Sequence, residues 1–77
     1  MKIEYTDYAE VKIKKRELSK VQIESVLKSP DKLTEGSEGR RIAQKTIGKY
    51  ILRVVFEQNG NAYKVITAYY SKSERYK

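Results

Sequence analysis

Apolar positions along the chain fall into two regimes. Up to residue 28 they recur at helical spacing. From residue 40 onward they gather in runs of β-branched and aromatic residues broken by turn signals. Lys2 to Tyr5 reads as a short strand, and Thr6 or Asp7 caps the first helix, with Glu10 placed to complete a capping box. Tyr5, Tyr8, Ala9 and Ile13 form the apolar stripe of this helix, about residues 6 to 16. Val11 falls off the stripe, and Lys12, Lys14, Lys15 and Arg16 crowd the C-terminal end, where cations suit the helix dipole. After Glu17 and Leu18, Ser19 opens a second helix with Gln22 three positions on. Ile23, Val26 and Leu27 make its buried stripe, with Val21 as a further contributor, and Ser29-Pro30 stops it, because a residue preceding proline is pushed out of the helical region. So short a link predicts a helical hairpin or L packed on one side of the strand-rich half.

The polar segment from Asp31 to Gly39 holds either one short strand around Leu33 or a plain loop. Arg40 to Ile47, Tyr50 to Glu57 and Ala62 to Tyr70 then read as strands. If Asn59-Gly60 forms a two-residue type I′ turn, Phe56 faces Tyr63, Val54 faces Val65, Leu52 faces Thr67 and Tyr50 faces Tyr69. That uncharged face is expected to meet the helices. Ile51, Arg53 and Val55, with Lys64, Ile66, Ala68 and Tyr70, would form the other. The fold class expected is α+β: one domain spanning residues 1–77, with two N-terminal helices on one face of a three- to four-stranded antiparallel sheet.

Charge changes this picture from a plain sheet to a basic one. Residues 1–38 carry eight Lys/Arg and eight Asp/Glu. From residue 39 onward nine basic residues stand against Glu57 and Glu74, so the whole net charge of +7 resides in the strand-rich half. A basic surface built on strands suits a polyanion, nucleic acid first. The chain has no cysteine and no histidine, which removes disulfides, thiolate metal sites, cysteine nucleophiles and the usual neutral-pH general base. No metal and no cofactor are expected. No stretch has the length and apolarity of a signal peptide or a membrane span, so the expectation is a soluble, cytoplasmic protein with no membrane partner.

Arg53 is the most informative residue, because it interrupts an otherwise apolar strand, Tyr50-Ile-Leu-Arg-Val-Val-Phe56, where a guanidinium reaches solvent or meets an anion. On the preceding strand Arg41 and Lys45 share a face with each other and read as phosphate contacts or surface charges. Arg16 reads as a dipole-compensating cation whose stem covers the core. The last ten residues, AYYSKSERYK, interleave tyrosines with cations, offering rings for bases to stack on beside donors for phosphate; Tyr69 and Tyr70 point to opposite faces, one toward the core and one available. RNA is cleaved without metal when its 2′-hydroxyl is deprotonated and the charge developing at phosphorus is neutralised. Arg, Lys and Tyr suffice for that chemistry.

Three segments carry a family resemblance. YTDYAEVKIKKRELS (5–19) resembles the opening helix signature of the small toxins of toxin-antitoxin systems with the RelE/ParE fold, particularly their BrnT-like and related short members. VQIESVLKSPDK (21–32) resembles their second helix with its Pro stop, and GKYILRVVFEQNGNAYKVITAYYSKSERYK (48–77) their closing hairpin and tail. Arg16, Arg53, Arg75 and Tyr76 match. Tyr8 stands where short members often have histidine, and Lys12 where they often have arginine, so those roles do not carry over. The resemblance implies an RNA site on the exposed sheet face and tail, and a cognate antitoxin protein that masks it. The expected function is a type II toxin, a metal-independent endoribonuclease (mRNA interferase) acting on RNA, on or off the ribosome. Its catalytic residues would be Arg53, Arg75 and Tyr76, with Arg41, Lys45, Lys64, Tyr70 and Lys72 binding nucleic acid. The alternatives are a non-catalytic nucleic-acid-binding or protein-interaction module, or a sheet that docks an acidic partner by strand addition. Small size and open sheet edges also allow a homodimer.

Overall fold

Local capping chemistry sets where each helix begins and ends. In the computed structural model, which describes residues 1–72, β1 (Lys2–Tyr5) leads into α1 (Asp7–Lys15). The Thr6 hydroxyl accepts the Ala9 amide at 3.0 Å, making Thr6 the N-cap. The capping box expected of Glu10 does not form: with the cap at Thr6, Glu10 lies one residue too far along. It pairs instead with Lys20 at 2.8 Å, an exposed ion pair. At the other end the Leu18 amide donates to the Ile13 carbonyl (2.9 Å) while Glu17 adopts a left-handed φ of 54°, a Schellman closure. Leu18 folds back against the core and brings α2 (Lys20–Lys28) directly after α1. Ser19 caps α2 through the Gln22 amide, and the helix stops at Ser29 before Pro30.

Each nine-residue helix buries a narrow stripe: Ala9 and Ile13 on α1, Ile23, Val26 and Leu27 on α2. Tyr8 and Val21, expected on those stripes, are 57% and 78% exposed. Each sits beside its helix's i, i+4 pair rather than on it, and helices this short have room for little more than that pair.

The sheet has five strands in the order β1-β5-β4-β3-β2, where β2 is Lys32–Glu35, β3 Arg41–Ile47, β4 Tyr50–Asn59 and β5 Ala62–Lys72. This corrects the expected three- to four-stranded antiparallel sheet. β2 to β5 form an antiparallel meander, and β1 pairs in parallel with β5. The meander leaves the outer edge of β5 open, and β1 fills only its first part, Lys2 to Tyr5 opposite Ala62 to Val65. Both helices lie on one face, α1 over β5 and α2 over β4 and β3. The core there is formed by the helix stripes with Ala43, Leu52, Val54, Phe56, Val65 and Ala68.

The β4–β5 register departs from the expected one twice. The two loop residues are Gly60-Asn61, with Asn59 opposite Ala62, so the turn sits one position later than Asn59-Gly60. Gly60 takes a φ of 61° at the first loop position, which fits a type II′ turn. A bulge at Ile66 then inserts one residue into β5: Phe56 faces Val65, but Val55 faces Thr67. Beyond the bulge, alternation on β5 is inverted relative to a continuous ladder. Ala68 and Tyr70 turn to the helix side, and Thr67 and Tyr69 turn away from it. Phe56 and Tyr63 still stack, with ring centroids 5.3 Å apart, as diagonal neighbours rather than direct partners.

Candidate nucleic-acid interface

The sheet face without helices carries the candidate site. Leu52 and Val54 point into the core, so Arg53 between them points away from the helices. The register sets Lys32, Gln44, Arg53 and Tyr69 in one row across β2, β3, β4 and β5. Arg53 is 9% exposed and Gln44 7%, with Ile51 beside them at 4%. The Arg53 guanidinium carbon lies 5.9 Å from the Tyr69 ring centroid, within cation–π range. The bulge at Ile66 produces this pairing, because a continuous ladder would have set Ala68 opposite Arg53 and turned Tyr69 to the helix side.

Along the same face, Val55 and Thr67 lead to Glu57 and Lys64, which are direct cross-strand partners. A groove of about 660 Å³ opens here, lined by Thr6, Tyr8, Arg40, Val55, Glu57, Lys64, Ile66 and Thr67. The ion pairs among the described residues are Lys20–Glu10 and Arg41–Glu35, and neither involves Glu57, Lys64 or Arg40. On the flank, Arg16 Nη1 donates to the Ala68 carbonyl (2.9 Å) and to the Thr67 hydroxyl (3.3 Å). Its guanidinium thus satisfies part of the edge of β5 that β1 leaves open.

Several expected contacts lie on the other side of the sheet. Arg41 and Lys45 do share a face, but it is the helix face: Arg41 Nε bonds Glu35 at 3.0 Å and its Nη1 bonds Gln58 at 3.2 Å, while Lys45 Nζ reaches Ser25 of α2 at 3.4 Å. Tyr70 donates to Gln22 of α2 at 2.8 Å and packs edge-on against Tyr50. Lys72, opposite Tyr50, alternates to the same side as Tyr70. These four residues cannot join Arg53 around one phosphate. Lys64 does share the Arg53 face. Arg75 and Tyr76 lie outside the described residues.

Gln44, Tyr69, Arg40 and Glu57 belong to this face although the sequence did not single them out as site residues. Gln44 was within reach, since Ile42, Gln44 and Thr46 alternate; what was missing was the register linking Gln44 to Arg53. Chemically, the face offers a held guanidinium and an ammonium for phosphate, and tyrosine rings for stacking. Among the described residues no group of His, Cys, Asp or Glu is arranged to hold a metal, and no helix is long and apolar enough to cross a membrane.

The sequence profile of a family described as a domain of unknown function, DUF4258, matches residues 5–70. The chain belongs to the DUF4258 family. The matched span takes in both helices, the whole meander but for the last two residues of β5, and every described residue of the Arg53 row. No curated protein and no solved structure matches the chain.

Proposed function

We propose that this DUF4258 domain binds single-stranded RNA on the helix-free face of its sheet and acts there as a metal-independent endoribonuclease of the toxin type, kept inactive by a cognate antitoxin that covers the same face. The observation that carries the reading is Arg53: a cation set into the central strand, nearly enclosed, held against Tyr69 and flanked by Gln44. A charge so placed meets an anion at lower effective dielectric than a solvated lysine does, and its geometry is fixed before the ligand arrives. In this reading Arg53 neutralises charge developing at the scissile phosphorus, Lys64 contacts a flanking phosphate, and Tyr69 stacks a base. The surplus of cations in the strand-rich half and the resemblance of residues 5–19, 21–32 and 48–77 to RelE/ParE-fold toxins support it.

A second reading, a non-catalytic RNA-binding module, draws on the placement of Arg41, Lys45 and Lys72 on the helix side, which leaves fewer cations around Arg53 to stabilise a transition state. Incubating purified protein with a labelled single-stranded RNA separates the two. Cleavage leaving a 2′,3′-cyclic phosphate, lost in Arg53→Gln with the circular dichroism spectrum unchanged, is the expected result. Salt-sensitive binding without products at any enzyme concentration selects the binding module, and absence of both sinks the proposal.

A further inference from the structure

The groove beside the Arg53 row combines groups that a phosphate site alone does not need. At its walls stand the Tyr8 ring, 57% exposed at the start of α1, two cations, Arg40 and Lys64, and a carboxylate, Glu57. A carboxylate on a polyanion-binding face repels phosphate, and here it stands among cations, with Lys64 and Arg40 lining the same groove. Glu57 faces Lys64 directly across the β4–β5 ladder, yet the two form no ion pair. At about 660 Å³ the groove is of the size that takes a small ligand.

An ionised carboxylate only accepts hydrogen bonds, and its two oxygens suit two adjacent donors. Among the unpaired bases of RNA, guanine presents two on its Watson–Crick edge, the N1–H and the N2 amino group. Adenine and cytosine each offer one amino group there, next to an acceptor that a carboxylate repels, and uracil offers a single N–H between two carbonyls. Single-stranded RNA leaves those edges open, and aromatic side chains supply the stacking. Glu57 stands four residues from Arg53 on the same strand face, about 13 Å away at the rise of a β-strand. A base in the groove and a phosphate at Arg53 therefore belong to neighbouring positions of one RNA strand.

We infer that this groove is a guanine subsite: Glu57 accepts the N1–H and N2–H of a single unpaired guanine, Tyr8 stacks on the base, and Arg40 and Lys64 hold its flanking phosphates. The inference rests on the RNA-binding reading and adds to it a base preference.

Fluorescence anisotropy with short labelled oligouridylates, each carrying one central G, A, C or U, tests it on the full chain, its Glu57→Gln and Tyr8→Ala variants, and Arg53→Gln. The wild type should bind the guanosine oligomer at least about tenfold more tightly than the other three, the discrimination a good bidentate contact provides. Glu57→Gln should abolish that preference, and Tyr8→Ala should weaken the guanosine oligomer most. Arg53→Gln should weaken all four while keeping the preference. Equal wild-type affinity for all four, or a preference that survives Glu57→Gln, overturns the guanine subsite and leaves RNA binding standing. No binding to any oligomer overturns both.

Discussion

At the residue scale, two side chains show how burial turns a polar group into a constraint. Arg53 is one, and its neighbour Tyr69 reaches it only because one extra residue in β5 turns that ring away from the core. Tyr5 is the other. Its hydroxyl donates to Glu24 at 3.2 Å, with the Lys20 ammonium 4.6 Å from the ring centroid. Burial first, then the negative charge of and hydrogen bond to Glu24, with Glu10 adding a smaller push, raise the Tyr5 pKa well above the ordinary tyrosine range. The folded state thus holds this proton more tightly than the unfolded chain does, so the associated stability is present below about pH 10 and is lost as pH rises beyond it. Tyr5→Phe should cost on the order of 1 kcal/mol at pH 8 through the lost hydrogen bond. The gap between variant and wild type should then narrow above pH 10. Urea denaturation of both proteins at pH 8 and pH 11 checks this; a gap that widens at high pH contradicts it.

At the element scale, the helices were largely legible in the sequence and the sheet only partly so. Ser19 and Ser29-Pro30 mark the ends of α2 because capping and proline act within a few residues. Runs of β-branched residues likewise located β3, β4 and β5. What could not be read was anything set by long-range pairing: the parallel docking of β1 on β5, the loop at Gly60-Asn61 and the bulge at Ile66. That bulge decides which of Tyr69 and Tyr70 shares the Arg53 face, so half of the candidate site depended on information no local pattern contains. Arg41 and Lys45 lie on the opposite face from Arg53 for the same reason. Their common face was legible, and which face it was depended on register with β4. The link between the helices carries a local prediction. Glu17 sits at a φ of 54°, where a residue with a Cβ is strained, so Glu17→Gly should raise stability by about 0.5 kcal/mol once glycine's own entropic cost is subtracted. A fall in thermal midpoint would show that the Glu17 side chain matters more than its backbone.

At the scale of the whole molecule, the two faces of the sheet differ in kind. The helix side of the sheet forms the core and anchors Lys45 and Tyr70 to α2, while the opposite side presents Arg53, Tyr69 and Lys64, with Arg40 and Tyr8 of α1 lining the groove beside them. This division predicts how RNA affinity responds to salt. Replacing one phosphate-contacting cation should reduce the slope of log affinity against log salt by about 0.7 for a single strand, so Arg53→Gln and Lys64→Gln should each flatten it. Arg41→Gln, on the helix side, should leave it as in the wild type, and a flattened slope in that variant would place RNA on the wrong face. The claim that joins these scales is that Arg53 is the centre of an RNA-cleaving surface. Its most direct test is induced expression of the wild type and of Arg53→Ala in a tightly controlled host, tracking growth and mapping RNA 5′ ends. Growth arrest with new 5′ ends in the wild type, both absent when soluble, folded Arg53→Ala is expressed, is the predicted result. Cleavage and arrest that persist in the variant, or intact RNA and normal growth with the wild type, would contradict it.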